Sequence, residues 1–275
     1  MVQDDSKSAA TQGDARSTLE AAARRLARPT LQVSDSLSQA AASAAADTVR
    51  TLAEAVAARG TAHLALTGGS GGVALADHLA QELAREPTQV REAVHLWFGD
   101  ERFVPVSDPE RNDLLAAPLV RVGVPDSHVH HLPGPETVSS LDSATDLLTQ
   151  DLRAHHLDYE PFDLIHLGLG PDAHVCSLFP GHPAALTTGR SAVAVRESPK
   201  PPPQRCSLTF EVLHRARHVM VVAGGQGKAE AVTRSLGAID VVTAPASCAR
   251  GKRTTWYLDV QAASGLGDIQ PTTRA

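Results

Sequence analysis

The sequence predicts a three-layer α/β fold, in which a mostly parallel sheet is covered by helices on both faces. Short apolar runs rich in branched residues, such as Phe162–Leu167 and His218–Ala223, alternate with longer alanine-rich segments of helical character. Strands and helices that alternate along a chain give parallel pairing, because each crossover helix must lie against a face of the sheet. Alanine is abundant and aromatic residues make up only 3% of the chain, which lets helices approach the sheet closely. With 275 residues and 42% apolar content, the chain can bury a full core.

Residues 1–28 begin low in hydrophobicity and rich in Ser, Asp, Gln and Gly, and are expected to be a disordered tail. A short basic helix over residues 18–27 would lie outside the fold. A single domain is expected over residues 29–262, followed by a loose tail over 263–275. It opens with a strand at Thr30–Val33 and a capping cluster, Ser34-Asp35-Ser36, which starts a long alanine-rich helix ending at Gly60. Strand His63–Thr67 runs into a glycine loop and a helix from about Val73 to Arg85. Strand Val94–Phe98 ends in Gly99-Asp100-Glu101-Arg102, three consecutive charges that ordinarily mark a solvated loop. Helices near Asn112–Arg121 and Ser139–His156 lead to the strand Phe162–Leu167. Strand Ala192–Val195, a proline loop, and strands Cys206–Thr209 and His218–Ala223 come next. A helix opens at Gly227-Lys228, and a final strand lies near Thr254–Leu258. The proline run 199–203 reads as a rigid surface loop, because strands continue on both sides of it.

Charge and composition exclude several classes of function. A formal net charge of −6 argues against nucleic-acid or anionic-membrane partners, so an anionic substrate needs a local basic pocket. No apolar run approaches the ~20 residues that span a bilayer. The polar N-terminal stretch lacks the apolar core of a secretion signal, which points to a cytoplasmic protein. Cys176, Cys206 and Cys248 are odd in number and lack Cys-x-x-Cys spacing, so they indicate neither a disulfide framework nor a thiolate zinc site. Histidines gather at His128, His130 and His131, at His155 and His156, and at His214 and His218. None comes with the thiolate or Glu partners of a recognised zinc site, and no metal is expected.

Residues 162–184 are the most informative. The strand Phe162–Leu167 runs into a Gly-Leu-Gly-Pro turn that releases Asp172 and His174 two residues apart. In open α/β sheets, ligands sit beyond the carboxyl ends of the strands, which is where a general base belongs. A neutral imidazole there can take a proton from water.

The loop Thr67–Gly72, TGGSGG, follows a strand and opens a helix, so its N–H groups make a ready anion site. Three readings fit it. Gly69, Gly71 and Ala74 satisfy a dinucleotide fingerprint, with Asp100 as the ribose acid. Gly68, Ser70 and Gly72 satisfy a nucleophile elbow, although no later acid and histidine pair is signalled for it. The third is a cradle for a sugar phosphate. A second glycine stretch, residues 223–231, suggests a P-loop but has Val222 and Ala229 where Gly and Ser or Thr are required. Lys228 still stands at a helix start, beside an anion-friendly terminus.

Residues 168–181 resemble the signature of the 6-phosphogluconolactonases, Gly-Leu-Gly-Pro-Asp-Gly-His followed by Ser-Leu-Phe-Pro-Gly. Gly168, Gly170, Pro171, Asp172, His174, Ser177, Leu178, Phe179, Pro180 and Gly181 match it, and Ala173 replaces a glycine. Alanine at a positive φ there costs about 1 kcal/mol. The resemblance covers about residues 60–260 and implies a Rossmann-like fold similar to the glucosamine-6-phosphate deaminase/ribose-5-phosphate isomerase type. It ranks the cradle first for the glycine loop, which implies substrate or phosphate contacts from Gly69, Ser70, Arg205 and Lys228. Asp100-Glu101-Arg102 matches the lactonase Asp-Glu-Arg, where the deaminases typically carry Asp-Glu-Tyr. The stretch after it resembles the one that supplies an Asn, here Asn112, although Arg111 stands where a smaller residue is expected.

The implied activity is hydrolysis of 6-phospho-D-glucono-1,5-lactone to 6-phosphogluconate in the oxidative pentose phosphate route. His174 would be the base and Asp172 its orienting partner, or a contact to sugar hydroxyls. Asp100, Arg102 and Asn112 would face the substrate. The resemblance implies no cofactor and a monomer or small homo-oligomer. Two rivals remain, a deaminase-like isomerase and a non-catalytic sugar-phosphate sensor. The deaminases place a Glu after the motif His in Phe-Asn-Glu-Pro-Gly, where this chain has Leu178 and Phe179; a sensor often loses the base, and His174 is retained.

Overall fold

The computed structural model describes residues 3–267, with side chains from residue 12. Along the chain run α1 (Gln3–Arg25), β1 (Thr30–Ser34), α2 (Leu37–Arg59), β2 (Ala62–Leu66), α3 (Gly69–Leu83), α4 (Thr88–Glu92), β3 (Val94–Phe98) and β4 (Asp100–Arg102). They are followed by α5 (Ala117–Arg121), α6 (Leu141–Ala154), β5 (Leu164–Gly168), β6 (Ala192–Val195), β7 (Arg205–Leu208), α7 (Phe210–Arg215), β8 (His218–Ala223), α8 (Ala229–Leu236) and β9 (Arg253–Asp259).

Six strands form one sheet in the order β1-β9-β8-β5-β2-β3, and every neighbouring pair is parallel. Successive strand residues point to opposite faces, and the core divides accordingly. Leu64, Leu66, Leu164, Met220, Val222 and Tyr257 meet the alanine stripe of α2 and the leucines of α3. Ala65, Ile165, Leu167, Val219, Val221, Trp256 and Leu258 meet residues of α1, α6, α7 and α8 on the other face. The fold is thus the three-layer α/β arrangement expected.

Caps and polar pairs fix the ends of these elements. Ser36 caps α2 through its side chain, and Gly60 closes the helix in the left-handed conformation at φ +80°. Asp163, just ahead of β5, accepts from the His63 N–H at 2.9 Å and pairs with Arg59 and Arg217. His166, buried inside β5, bonds Thr48 of α2 at 2.8 Å.

A smaller antiparallel sheet, β4-β7-β6, stands beyond the carboxyl end of β3. Gly99 joins the two sheets: its N–H donates to Leu66 O at 2.8 Å, and its carbonyl accepts from Leu208 N–H at 2.9 Å. The charged run 100–102 is therefore a strand rather than a solvated loop, with Asp100 and Glu101 buried.

Other expectations need correction. The disorder expected over residues 1–28 gives way to α1, because Leu19 and Ala23, one turn apart, are buried in the core. Glu20 between them accepts from Arg16 and Arg24 and from the Val241 N–H. Such a narrow apolar stripe is outweighed by the polar composition around it. In the C-terminal tail, Ala263 is buried; residues 268–275, like residues 1–2, lie outside the described residues. α3 begins at Gly69, four residues before Val73, because its glycines allow contacts that no side chain permits. A Cβ on Gly71 would stand 2.3 Å from Val222 O, and one on Gly72 1.8 Å from Thr67 O. Among the described residues no helix is long and apolar enough to cross a membrane.

Candidate active site

The carboxyl ends of β2, β5 and β8, together with β4 and the start of β7, enclose a cleft of about 250 Å³. Four cationic side chains line it, Arg102, Lys200, Arg205 and Lys228, against one carboxylate, Asp100. A chain of net charge −6 thus presents a locally basic pocket.

β5 delivers the central pair. The turn after it closes through Ala173 N–H to Gly170 O and Gly170 N–H to His174 O, both 2.9 Å. His174 Nδ1 then lies 2.6 Å from Asp172 Oδ1. An ionised carboxylate only accepts, so Nδ1 carries the proton and Nε2 keeps its lone pair. Burial pushes the Asp172 carboxyl up, but the hydrogen bond and charge of His174 and the Lys200 ammonium overcome it and hold Asp172 well below the usual carboxylate range. Gly170 underlies the pair; a Cβ on it would stand 1.9 Å from His174 Nδ1 and 2.4 Å from Asp172 Oδ1.

Ala173 takes φ +68°, and its methyl is buried. Ala173→Gly should relieve about 1–2 kcal/mol of left-handed strain. Loss of the buried methyl, about 0.8 kcal/mol, and the freer unfolded glycine, about 0.4–1 kcal/mol, offset this. Urea unfolding should therefore shift by less than about 1 kcal/mol in either direction.

The glycine loop faces this pair across the cleft. Gly69 sits at φ +69°, and the N–H groups of the first turn of α3 have no intrahelical partner. Ser70 is exposed in that turn. Gly68 has no room for a Cβ, which would overlap the Asn112 side chain at 1.9 Å.

Asn112 is held in turn by β4. Its Nδ2 donates to Asp100 O at 2.7 Å and lies 3.3 Å from Asp100 Oδ1, while its Oδ1 accepts from Arg102. Glu101 ties this segment down by accepting from the N–H groups of Arg102, Asn112 and Asp113. Burial pushes its carboxyl up to about 7, against the pull of those donors and of Arg111. Arg111 is itself buried, bonded to Asp113 and to the carbonyls of Leu132 and Val104. It is a structural cation below the cleft, which explains why a large residue is tolerated beside Asn112.

Arg205 is less free than its sequence position suggests. Its Nε and Nη2 donate to the carbonyls of Lys200, Pro201 and Pro202 at 3.0–3.1 Å. Nη1 is left 3.7 Å from Asp100 Oδ2, and the guanidinium lies over Phe179, 5.7 Å from the ring centre. Lys228 Nζ donates to Leu169 O at 2.7 Å, which leaves two protons for a ligand. Burial, then the charge of Lys200, pushes the Lys228 ammonium below its ordinary value. An arriving anion would relieve both.

The structure thus brings His174, Gly69, Ser70, Asp100, Arg102, Asn112, Arg205 and Lys228 to the wall of one cleft, and Asp172 reaches it through His174. Sequence reasoning missed Lys200. Its Nζ lies 3.2 Å from Asp172 Oδ1 and 3.3 Å from His174 Nδ1. The signal available was a lysine inside a proline run immediately ahead of Arg205, a loop stiff enough to hold an ammonium in place.

A profile described as glucosamine-6-phosphate isomerases/6-phosphogluconolactonase matches residues 35–257. The 6-phosphogluconolactonase of Streptomyces coelicolor is 40% identical over 236 residues, covering 82% of this chain and 90% of that protein. The 6-phosphogluconolactonase of Mycobacterium tuberculosis is 41% identical over 226 residues, 79% of this chain and 90% of its own. Among solved structures, a 6-phosphogluconolactonase from Trypanosoma cruzi superposes with a TM-score of 0.76 at 24% identity, covering 87% of this chain and 97% of that one, which speaks to the fold.

Proposed function

The chain belongs to the glucosamine-6-phosphate isomerase/6-phosphogluconolactonase family, and from that membership and the geometry of the cleft we propose that it hydrolyses 6-phospho-D-glucono-1,5-lactone to 6-phosphogluconate. The observation that carries the mechanism is the Asp172–His174 pair, which commits Nδ1 and leaves Nε2 as a base. Nε2 takes a proton from water as the water oxygen attacks the lactone carbonyl carbon. The tetrahedral oxyanion collapses, the bond to the ring oxygen breaks, and the imidazolium returns the proton to that oxygen. Asp172 fixes the ring and stabilises the transient imidazolium, and Lys200 keeps Asp172 ionised. Arg102 faces the substrate and the developing oxyanion, with Asp100 and Asn112 setting its position.

The phosphate lies at the opening of α3, against the N–H groups that follow Gly69, Ser70 Oγ and the Lys228 ammonium. Arg205 holds the proline loop and presents Nη1 toward the cleft. Phosphate bound away from the carbonyl positions the reacting atom. Residues 29–262 act as one catalytic unit, with α1 packed on it. Leu178 and Phe179, where the deaminases place a glutamate, favour lactone hydrolysis over the isomerase chemistry of the same fold.

An assay on freshly generated lactone, coupled to oxidation of the phosphogluconate formed, tests this activity. Turnover no faster than spontaneous opening would overturn it. In the same assay Ser70→Ala and Lys228→Ala should raise KM about 10–100-fold, the equivalent of one charge-assisted hydrogen bond of roughly 1.5–3 kcal/mol, with kcat little changed. Neither variant should discriminate strongly between the phosphorylated and unphosphorylated lactones. A serine that acted as nucleophile would instead lose about 10⁶ in kcat while still binding product. A strong chelator should leave turnover unchanged, since no step uses a metal.

A further inference from the structure

The other end of the sheet carries a second cluster of donors. His63 and His95 are the second residues of β2 and β3, paired in register, whereas the cleft follows the last residues of those strands. At the rise of an extended strand the two ends lie about 13 Å apart. The nitrogens of His95, His130 and His155 lie within 4.8 Å of one another, the one such group among the described residues. Positions 95, 130 and 155 are too far apart in the chain for any spacing motif to reveal this.

These rings are held in place from outside. His130 N–H donates to Leu96 O at 2.9 Å, and its ring stacks on Trp97 with centres 3.5 Å apart. His130 Nδ1 lies 2.7 Å from Asp151 Oδ2, which turns Nε2 toward His95 Nδ1 at 3.0 Å. A carboxylate on the outer nitrogen of an imidazole is the arrangement that orients histidine ligands and raises their basicity. His95 is stacked between His128, at 3.9 Å, and His63, at 4.9 Å. His155 Nδ1 lies 3.0 Å from Asp151 O, so its Nε2 is the free nitrogen. Two imidazoles on one tetrahedral ion at 2.0–2.1 Å place their nitrogens about 3.4 Å apart. His95 Nδ1 and His130 Nε2, at 3.0 Å, need to part by only about 0.4 Å to reach that spacing. His155, its side chain 30% exposed, brings a nitrogen within 4.8 Å of both.

We propose that His95, His130 and His155 bind a divalent transition-metal ion of the zinc type, with Asp151 orienting His130 and water in the fourth position. The site is separate from the cleft and takes no part in the hydrolysis.

The test is calorimetric titration of chelator-treated protein with zinc chloride. The expected result is one ion per chain at micromolar affinity or tighter, with a raised melting temperature. His95→Gln, His130→Gln and the partly exposed His155→Gln should each weaken binding by about tenfold or more, and Asp151→Asn by about 10–100-fold. His155→Gln keeps the test decisive if the more buried variants fold poorly. His174→Ala should bind zinc as the parent does. Zinc affinity weaker than about 100 μM, near −5.5 kcal/mol, would overturn the proposal. Binding that survives in His155→Gln, or that disappears in His174→Ala, would also overturn it.

Discussion

His174→Ala is expected to lower kcat/KM on 6-phosphogluconolactone by about 10²–10⁴-fold, the usual worth of a general base. The loss should fall on kcat. The contacts assigned to the phosphate, at Gly69–Gly71 in α3 and at Lys228 at the start of α8, do not depend on the imidazole. Binding of 6-phosphogluconate should stay within a few-fold of the parent. Folding should also survive, because His174 is partly exposed and, among the described residues, its side chain is hydrogen-bonded through Nδ1 to Asp172. Near-normal turnover in this variant, measured in the coupled assay, would remove His174 from the mechanism.

Asp172→Asn should be almost as damaging, although it changes only one atom pair. Asp172 accepts from Nδ1 at 2.6 Å and so selects the tautomer with a basic Nε2. An asparagine can turn its amide and donate to Nδ1 instead, and Lys200 Nζ, 3.3 Å from Nδ1, would favour the same tautomer. The proton then resides on Nε2, which can no longer accept one from water. The expected loss is about 10²–10³ in kcat, within the range for a misprotonated general base, with KM little affected. Asp172→Glu, which keeps the charge but lengthens the side chain, should recover part of it. Equal kcat in Asp172→Asn and the parent would show that the pair is structural. Since its environment holds the Asp172 carboxyl low, the acid limb of the pH profile should not report Asp172.

Much of this was legible in the sequence because it is written in local chemistry. Period and caps place α2 between Ser36 and Gly60, and the apolar runs place β3 and β8 at the expected residues. The Gly-Leu-Gly-Pro-Asp segment announces the catalytic turn because a side chain at Gly170 would overlap the His174–Asp172 pair, and Ala173 takes a positive φ. What stayed hidden depends on contacts between distant segments. α1 has too little apolar surface to stand out, and only docking on the far face of the sheet makes Leu19 and Ala23 core residues. Asp100 and Glu101 look like a solvated charge run because the backbone N–H groups that satisfy Glu101 come from residues 102, 112 and 113. Lys200 reaches Asp172 only because the loop that carries it is folded back and tied by Arg205. The histidine group joins residues from β3, the segment between α5 and α6, and the end of α6, which no linear pattern connects.

One cleft is proposed to hold phosphate at the start of α3 and to present the lactone carbonyl to His174. A crystal structure with 6-phosphogluconate bound tests both at once. The phosphate is expected on the N–H groups after Gly69, touching Ser70 and Lys228, and the carboxylate formed from the lactone carbonyl within about 3 Å of His174 Nε2. A phosphate seated away from α3, or a carboxylate out of reach of His174, would contradict it.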